Sequence, residues 1–176
     1  MPGEYRIPKR QVPAQVTLVG EPTQELHLFV GQYAESHEGG ERPGDVLNGR
    51  ESYVPALDAQ GGTRLLNLDA VLVVTVTARD EGVLGALEFQ AADAACVDVV
   101  VALEGGLHLR GVVRYVLPEG QQRLQNYLRQ PERFLPLYDG PRLHWINRRR
   151  VVWVESRGVE GMQADMALGA SAPRRS

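Results

Sequence analysis

An internal repeat constrains this chain more than any other feature of it. Residues 51–59 read ESYVPALDA and residues 132–140 read ERFLPLYDG. These are one window of a longer match: shifted by 81 residues, Gln15–Asp58 lies on Cys96–Asp139 without a gap. Identical pairs include Leu26/Leu107, His27/His108, Leu28/Leu109, Glu38/Glu119, Gly39/Gly120, Arg42/Arg123, Leu47/Leu128, Glu51/Glu132, Pro55/Pro136 and Asp58/Asp139. After one deletion the match resumes with Asn67/Asn147, Val71/Val151 and Val74/Val154. A duplicated supersecondary unit follows, so any local reading must hold twice.

Each repeat reads as β. In the second, VDVVVAL (97–103) is β-branched, Gly105-Gly106 marks a tight turn, and LHLRGVVRYV (107–116) completes a hairpin. QQRLQNYLRQ (121–130) breaks the alternation. Leu124, Tyr127 and Leu128 share one face of a short helix, which Pro131 ends. RFLPLYD (133–139) is a strand holding a proline, which removes a ladder donor and so predicts an edge or a bulge. LHWIN (143–147) and VVWVES (151–156) form a last hairpin across three arginines. The first repeat supplies VTLV, ELHLFVGQY, a turn of helix at PGDVLN, SYVPALD, TRLLNL and VLVVTV. Five short strands with one inserted helix predict a mainly β fold of two tandem five-stranded small barrels. The implied boundaries are a flexible arm 1–13, a first repeat 14–76, a connector 77–95, a second repeat 96–156 and a flexible tail 157–176. VVWVES and VLVVTV are apolar on both faces, which predicts that the two repeats pack on each other.

Charge divides the halves. Net charge is −3 over 176 residues, but residues 1–96 carry −7, residues 97–156 carry +3, and the tail carries +1. The single cysteine, Cys96, rules out an internal disulfide and argues against a cysteine zinc cluster. The first residues lack an apolar run of signal-peptide length, and no segment reaches the ~20 apolar residues of a membrane span. The expectation is a cytoplasmic protein that does not enter a membrane.

LEGGLHLRGVVRY (103–115) resembles the first motif of the Sm/Lsm small-barrel family, through Leu103, Glu104, Gly105, Leu107, Leu109 and the bend glycine Gly111. INRRRVVWV (146–154) is similar to that family's second motif. The resemblance covers residues 97–154. The first repeat has Gln24 and Val30 where the second has Gly105 and Gly111. It implies an SH3-like five-stranded barrel, assembly into rings and, in many members, RNA binding. The family's base-holding Asp-x-apolar-Asn signature is replaced here by PEGQQRLQNYLRQ.

Candidate chemistry is sparse. His27 and His108 could hold a metal, but a strand that buries the flanking leucines turns the histidine outward, and no HxxxH or HExxH spacing accompanies them. Asp58 and Asp139, three residues after the shared prolines Pro55 and Pro136, read as turn caps and fold determinants rather than as catalytic acids. Glu51 and Glu132 read the same way. Cys96 reads as a buried, inert thiol. The chain has no nucleophile elbow, phosphate loop or dinucleotide fingerprint. The expectation is a protein that is not an enzyme and takes no cofactor, metal or small-molecule substrate. Arg148, Arg149 and Arg150, with Arg142, His144 and Trp145 nearby, form the one set suited to phosphates and stacked bases, or to an acidic partner. The first repeat has Leu68, Asp69 and Ala70 where the arginines stand, so the fold itself does not require them. Two functions are expected: a scaffold or adaptor that assembles with itself or another protein, and a single-stranded RNA binder using the basic repeat.

Overall fold

The computed structural model describes residues 9–35, 37–82, 94–118, 120–121 and 123–157. The first repeat contributes β1 (Lys9–Leu18), β2 (Gln24–Gly31), α1 (Pro43–Leu47), β3 (Tyr53–Asp58), β4 (Thr63–Asn67) and β5 (Val71–Thr77). The second contributes β6 (Ala95–Leu103), β7 (His108–Tyr115), α2 (Leu124–Leu128), β8 (Phe134–Asp139), β9 (Arg142–Asn147) and β10 (Val151–Ser156). Each expected strand is present, and each helix is a single turn inserted at the equivalent place. β1 begins at Lys9, inside the expected arm, because Lys9–Pro13 pair with His27–Gly31 of β2. The rest of that arm, most of the connector and the tail lie outside the described residues.

The strands form one antiparallel sheet in the order β10-β6-β7-β8-β9-β5-β1-β2-β3-β4. It therefore contains the same five-strand order twice, and the halves are joined by the β5–β9 ladder, Val73↔Ile146 through Thr77↔Arg142. This sheet is continuous and not closed, where the sequence reading had two closed barrels. β4 and β10 form its ends, with one strand neighbour each among the described residues. LHWIN and VVWVES therefore do not form the expected last hairpin: β9 pairs with β8 and β5, and β10 with β6.

Shared irregularities follow the repeat. The β1–β5 register skips Leu72, and the β10–β6 register skips Val152, the equivalent residue. Such a bulge turns neighbouring side chains to new faces. On β5 it sends Val71, Val74 and Val76 into one core, and Leu72 and Val73 into another. The first core is built on Val12, Val16, Leu26, Leu28, Val30 and Leu47, the second on Val99, Val101, Leu103, Val113 and Leu137. Gly111 shows what holds β7 against β8: a Cβ there would lie 2.4 Å from the Tyr138 carbonyl oxygen.

The proline strands are interior to the sheet, not edges. β3 lies between β2 and β4, but its ladder with β2 stops at Ala56, one residue past Pro55. β8 meets β7 only at Val112↔Tyr138, again beyond Pro136. The missing N–H faces a side where no ladder runs, so the proline is tolerated inside the sheet. Packing between the halves also differs between the two-faced strands. β5 is buried over most of its length, whereas β10 leaves Val152 and Trp153 exposed. Cys96 is exposed rather than buried, because it lies on the first turn outward of β6, ahead of the buried run Val99–Leu103. No helix among the described residues is long and apolar enough to cross a membrane.

Candidate functional site

Two features distinguish this molecule from a generic β-sheet: a polar lock at the junction of the repeats, and two open edges. The lock begins at α1. Pro43 starts this helix, where its missing N–H and fixed φ are harmless. The following backbone N–H, that of Gly44, donates to both carboxylate oxygens of Glu81 at 3.2 Å. Trp145 on β9 donates its indole Nε1–H to Glu81 Oε2 at 3.0 Å. Glu81 is buried, and that burial raises its pKa to about 7 against the opposing pull of the Trp145 and Gly44 hydrogen bonds. Only glycine fits at position 44, since a Cβ would lie 2.2 Å from the Trp145 ring.

Two asparagines complete the junction. Asn48, at the end of α1, accepts from the Phe134 N–H at 2.7 Å and donates to the Phe134 carbonyl at 3.1 Å. Its side chain thus serves the first residue of β8 as a strand partner would. Asn147 is fully buried and donates to the Leu68 and Val71 carbonyls, while its Oδ1 accepts from the Arg149 N–H. A groove of ≈ 820 Å³ runs beside the lock, lined among others by His37, Arg42, Asp45, Glu81 and Trp145. Asp45 accepts from the Arg42 N–H at 2.8 Å and lies 2.8 Å from His37 Nε2. The hydrogen bonds to Glu38 and Asp45 raise the His37 pKa.

This chemistry suits holding the repeats together. Both oxygens of Glu81, the one carboxylate among the described residues that is tuned toward neutrality, are already engaged by protein donors. No group of three or more potential metal ligands forms among the described residues. His108 is exposed beside Trp153, with ring centroids 5.3 Å apart, and His27 is half-buried on β2. Asp58 caps its turn, accepting from the N–H groups of Gln60 and Gly62, which hold its pKa down. Asp139 pairs instead with Arg142 at 2.6 Å and approaches His144 at 3.6 Å.

The basic set expected to meet nucleic acid is dispersed. Arg142 and Arg148 bracket β9, about 20 Å apart at ~3.3 Å per residue. His144 and Trp145 point to opposite faces of that strand: His144 is buried and bonds Thr75 Oγ1, and its pKa is lowered by burial. Trp145 faces the first core. Arg150 donates twice to the Asp69 carbonyl and pairs with Glu104 at 2.7 Å. Arg149 lies 3.8 Å from Asp69 and is largely exposed, and Arg148 reaches the Pro131 carbonyl. The arginine turn therefore braces one repeat against the other.

Sequence reasoning passed over Glu81, Gly44, Asn48 and Asn147. The one signal that was present is the Asn67/Asn147 identity, which a turn alone does not explain. Glu81 lies in the connector, outside the repeated window, and only the fold carries it to Trp145. No protein-family model, curated protein or solved structure matches this chain.

Proposed function

We propose that this chain is a non-catalytic assembly module, built from two small barrel-like units and working through protein–protein contact at its open sheet edges. One observation carries the reading: both terminal strands, β4 and β10, lack a second neighbour among the described residues and carry exposed apolar side chains, Leu65 on β4 and Val152 and Trp153 on β10. An unpaired edge of this kind recruits another strand unless something blunts it. Charge supports a head-to-tail arrangement, since the acidic first repeat of one molecule complements the basic second repeat of the next. Contacts of that type are heterologous and generate rings or filaments.

The test is size-exclusion chromatography with light scattering across a salt series, with ultraviolet absorbance followed for nucleic acid. A mass above the monomer that falls as salt rises is the expected result, because exposed charges are screened. A monomer at every salt concentration rejects self-assembly. The RNA-binding alternative draws less support from the site, because Arg150 is committed within the chain and Arg142 stands at the far end of β9. Co-purifying nucleic acid, lost when Arg148, Arg149 and Arg150 are changed to Ala, would move that alternative ahead.

A further inference from the structure

The junction inside the chain is a template for a contact outside it. At the junction, Phe134 and Trp145 of the second repeat pack against the first core, and Leu72 and Val73 of the first repeat enter the second core. Their repeat equivalents are Tyr53, Leu65, Val152 and Trp153. All four are exposed, by 56%, 69%, 63% and 43%. Residues that pack into a core where the two repeats meet are bare where, among the described residues, a repeat meets nothing. The strand pairing has the same relation: β5 pairs with β9, while their equivalents, β10 and β4, are the two free ends of the sheet.

We propose that the partner is a second copy of this chain, whose β4 docks antiparallel on β10 in the register that β9 and β5 already use. This rests on the assembly reading above and names its occupant. Transferring the junction register sets Val154 opposite Leu65 of the second copy, as Val74 stands opposite Trp145, and Trp153 opposite Leu66, as Val73 stands opposite Ile146. Glu155 then faces Arg64 of the second copy, where the junction has the hydrogen-bonded pair Thr75 and His144. Opposite charges directly across an antiparallel pair are mutually stabilising. In the single chain Glu155 has no ion-pair partner among the described residues, and Arg64, half-exposed, pairs with Asp58 at 3.3 Å and donates to Gln24 Oε1 at 2.8 Å, so Glu155 of the neighbour would join an existing pair.

Asn67 supplies an independent sign. Its Oδ1 accepts from the Asp69 N–H just as Asn147 Oδ1 accepts from Arg149. The Asn147 amide group also closes the junction by donating to Leu68 and Val71. The Asn67 amide group makes no such bond among the described residues. In the docked register it reaches the equivalent carbonyls, those of Arg148 and Val151 of the neighbouring molecule. Each molecule offers one β10 and one β4, so the contact repeats head to tail.

The full chain decides the matter by light scattering and by cross-linking. Wild-type protein should exceed the monomer mass. Glu155→Arg alone and Arg64→Glu alone should each weaken association by about tenfold, since like charges then face each other. The double variant should recover association, and circular dichroism should show all three folded. In a Cys96→Ser background, oxidation of a Leu65→Cys, Val154→Cys variant should link molecules into a ladder of dimers and larger species. Association that ignores both charge reversals, or a cysteine pair that does not cross-link, overturns this register while leaving assembly itself standing. A wild-type monomer at the highest concentration reached overturns both.

Discussion

Glu81 is a buried carboxylate at the wall of a groove, and its consequences can be measured. Its pKa rises from 4.5 to about 7 on folding, so between those values the native state binds a proton that the unfolded chain has released. Stability from this group is therefore present at low pH and declines as pH rises through that window, by up to about 3 kcal/mol at ~1.4 kcal/mol per unit. Glu81→Gln keeps the shape and one acceptor oxygen, which can take the Trp145 and Gly44 bonds made to Oε2, without the charge, and should flatten this part of the profile and raise stability above pH ~7. Urea denaturation of both proteins across the window checks the sign. An unchanged slope would mean that Glu81 is not the group responsible. Gly111 makes a different argument, from space. Gly111→Ala drives a methyl group into the Tyr138 carbonyl and should cost about 1–3 kcal/mol, the usual range for overpacking. The equivalent residue Val30 is fully buried in its own core, so Val30→Gly should destabilise as well, by the lost burial. Opposite requirements at equivalent positions show that the repeats have diverged in how closely their second and third strands approach.

The ladder between β5 and β9 is the element on which the molecule's unity depends. Asn147 fastens it by satisfying two carbonyls in a place closed to water. Asn147→Ala strands both acceptors and should cost about 2–3 kcal/mol. Asn67→Ala, at the equivalent place beside the free edge, should cost the isolated molecule well under half of that and instead weaken association. Thermal unfolding and light scattering on the two variants separate these effects. Equal losses of stability would show that Asn67 is already engaged within the chain. The short helix α1 contributes through its ends rather than its length. Gly44 gives an N–H to Glu81, and Asn48 extends the hydrogen bonding of β8. A five-residue helix has little stability of its own, so these tertiary bonds and the burial of Leu47 keep it in place.

At the scale of the whole molecule, protection from exchange should be uneven. Amides of β5 and β9, at the centre of the sheet, should exchange slowest, and those of β4 and β10 fastest, since local opening follows exposure and packing. Raising the protein concentration should slow β4 and β10 selectively if they meet in the assembly. Hydrogen exchange followed by mass spectrometry at two concentrations reads this directly. No concentration dependence at those strands would place any contact elsewhere on the surface.

Strands, helices and the repeat were legible from the chain alone, because alternation, β-branching and turn glycines are local and each was written twice. The capping of Asp58 was legible because a short acid at a strand end reaches its own turn, but its twin Asp139 pairs with Arg142 instead, so the repeat did not carry that role over. How the repeats join was not. Nothing local says that β5 seeks β9, that the bulge at Leu72 sends two side chains into the neighbouring core, or that Trp145 turns toward Glu81. VLVVTV and VVWVES look alike as sequence, yet one is the buried centre of the sheet and the other its bare edge. The sequence by itself determined the elements and their order, through short-range sterics and hydrophobic period. Only the tertiary structure decided which apolar faces found a partner, because that depends on which strand arrives beside them.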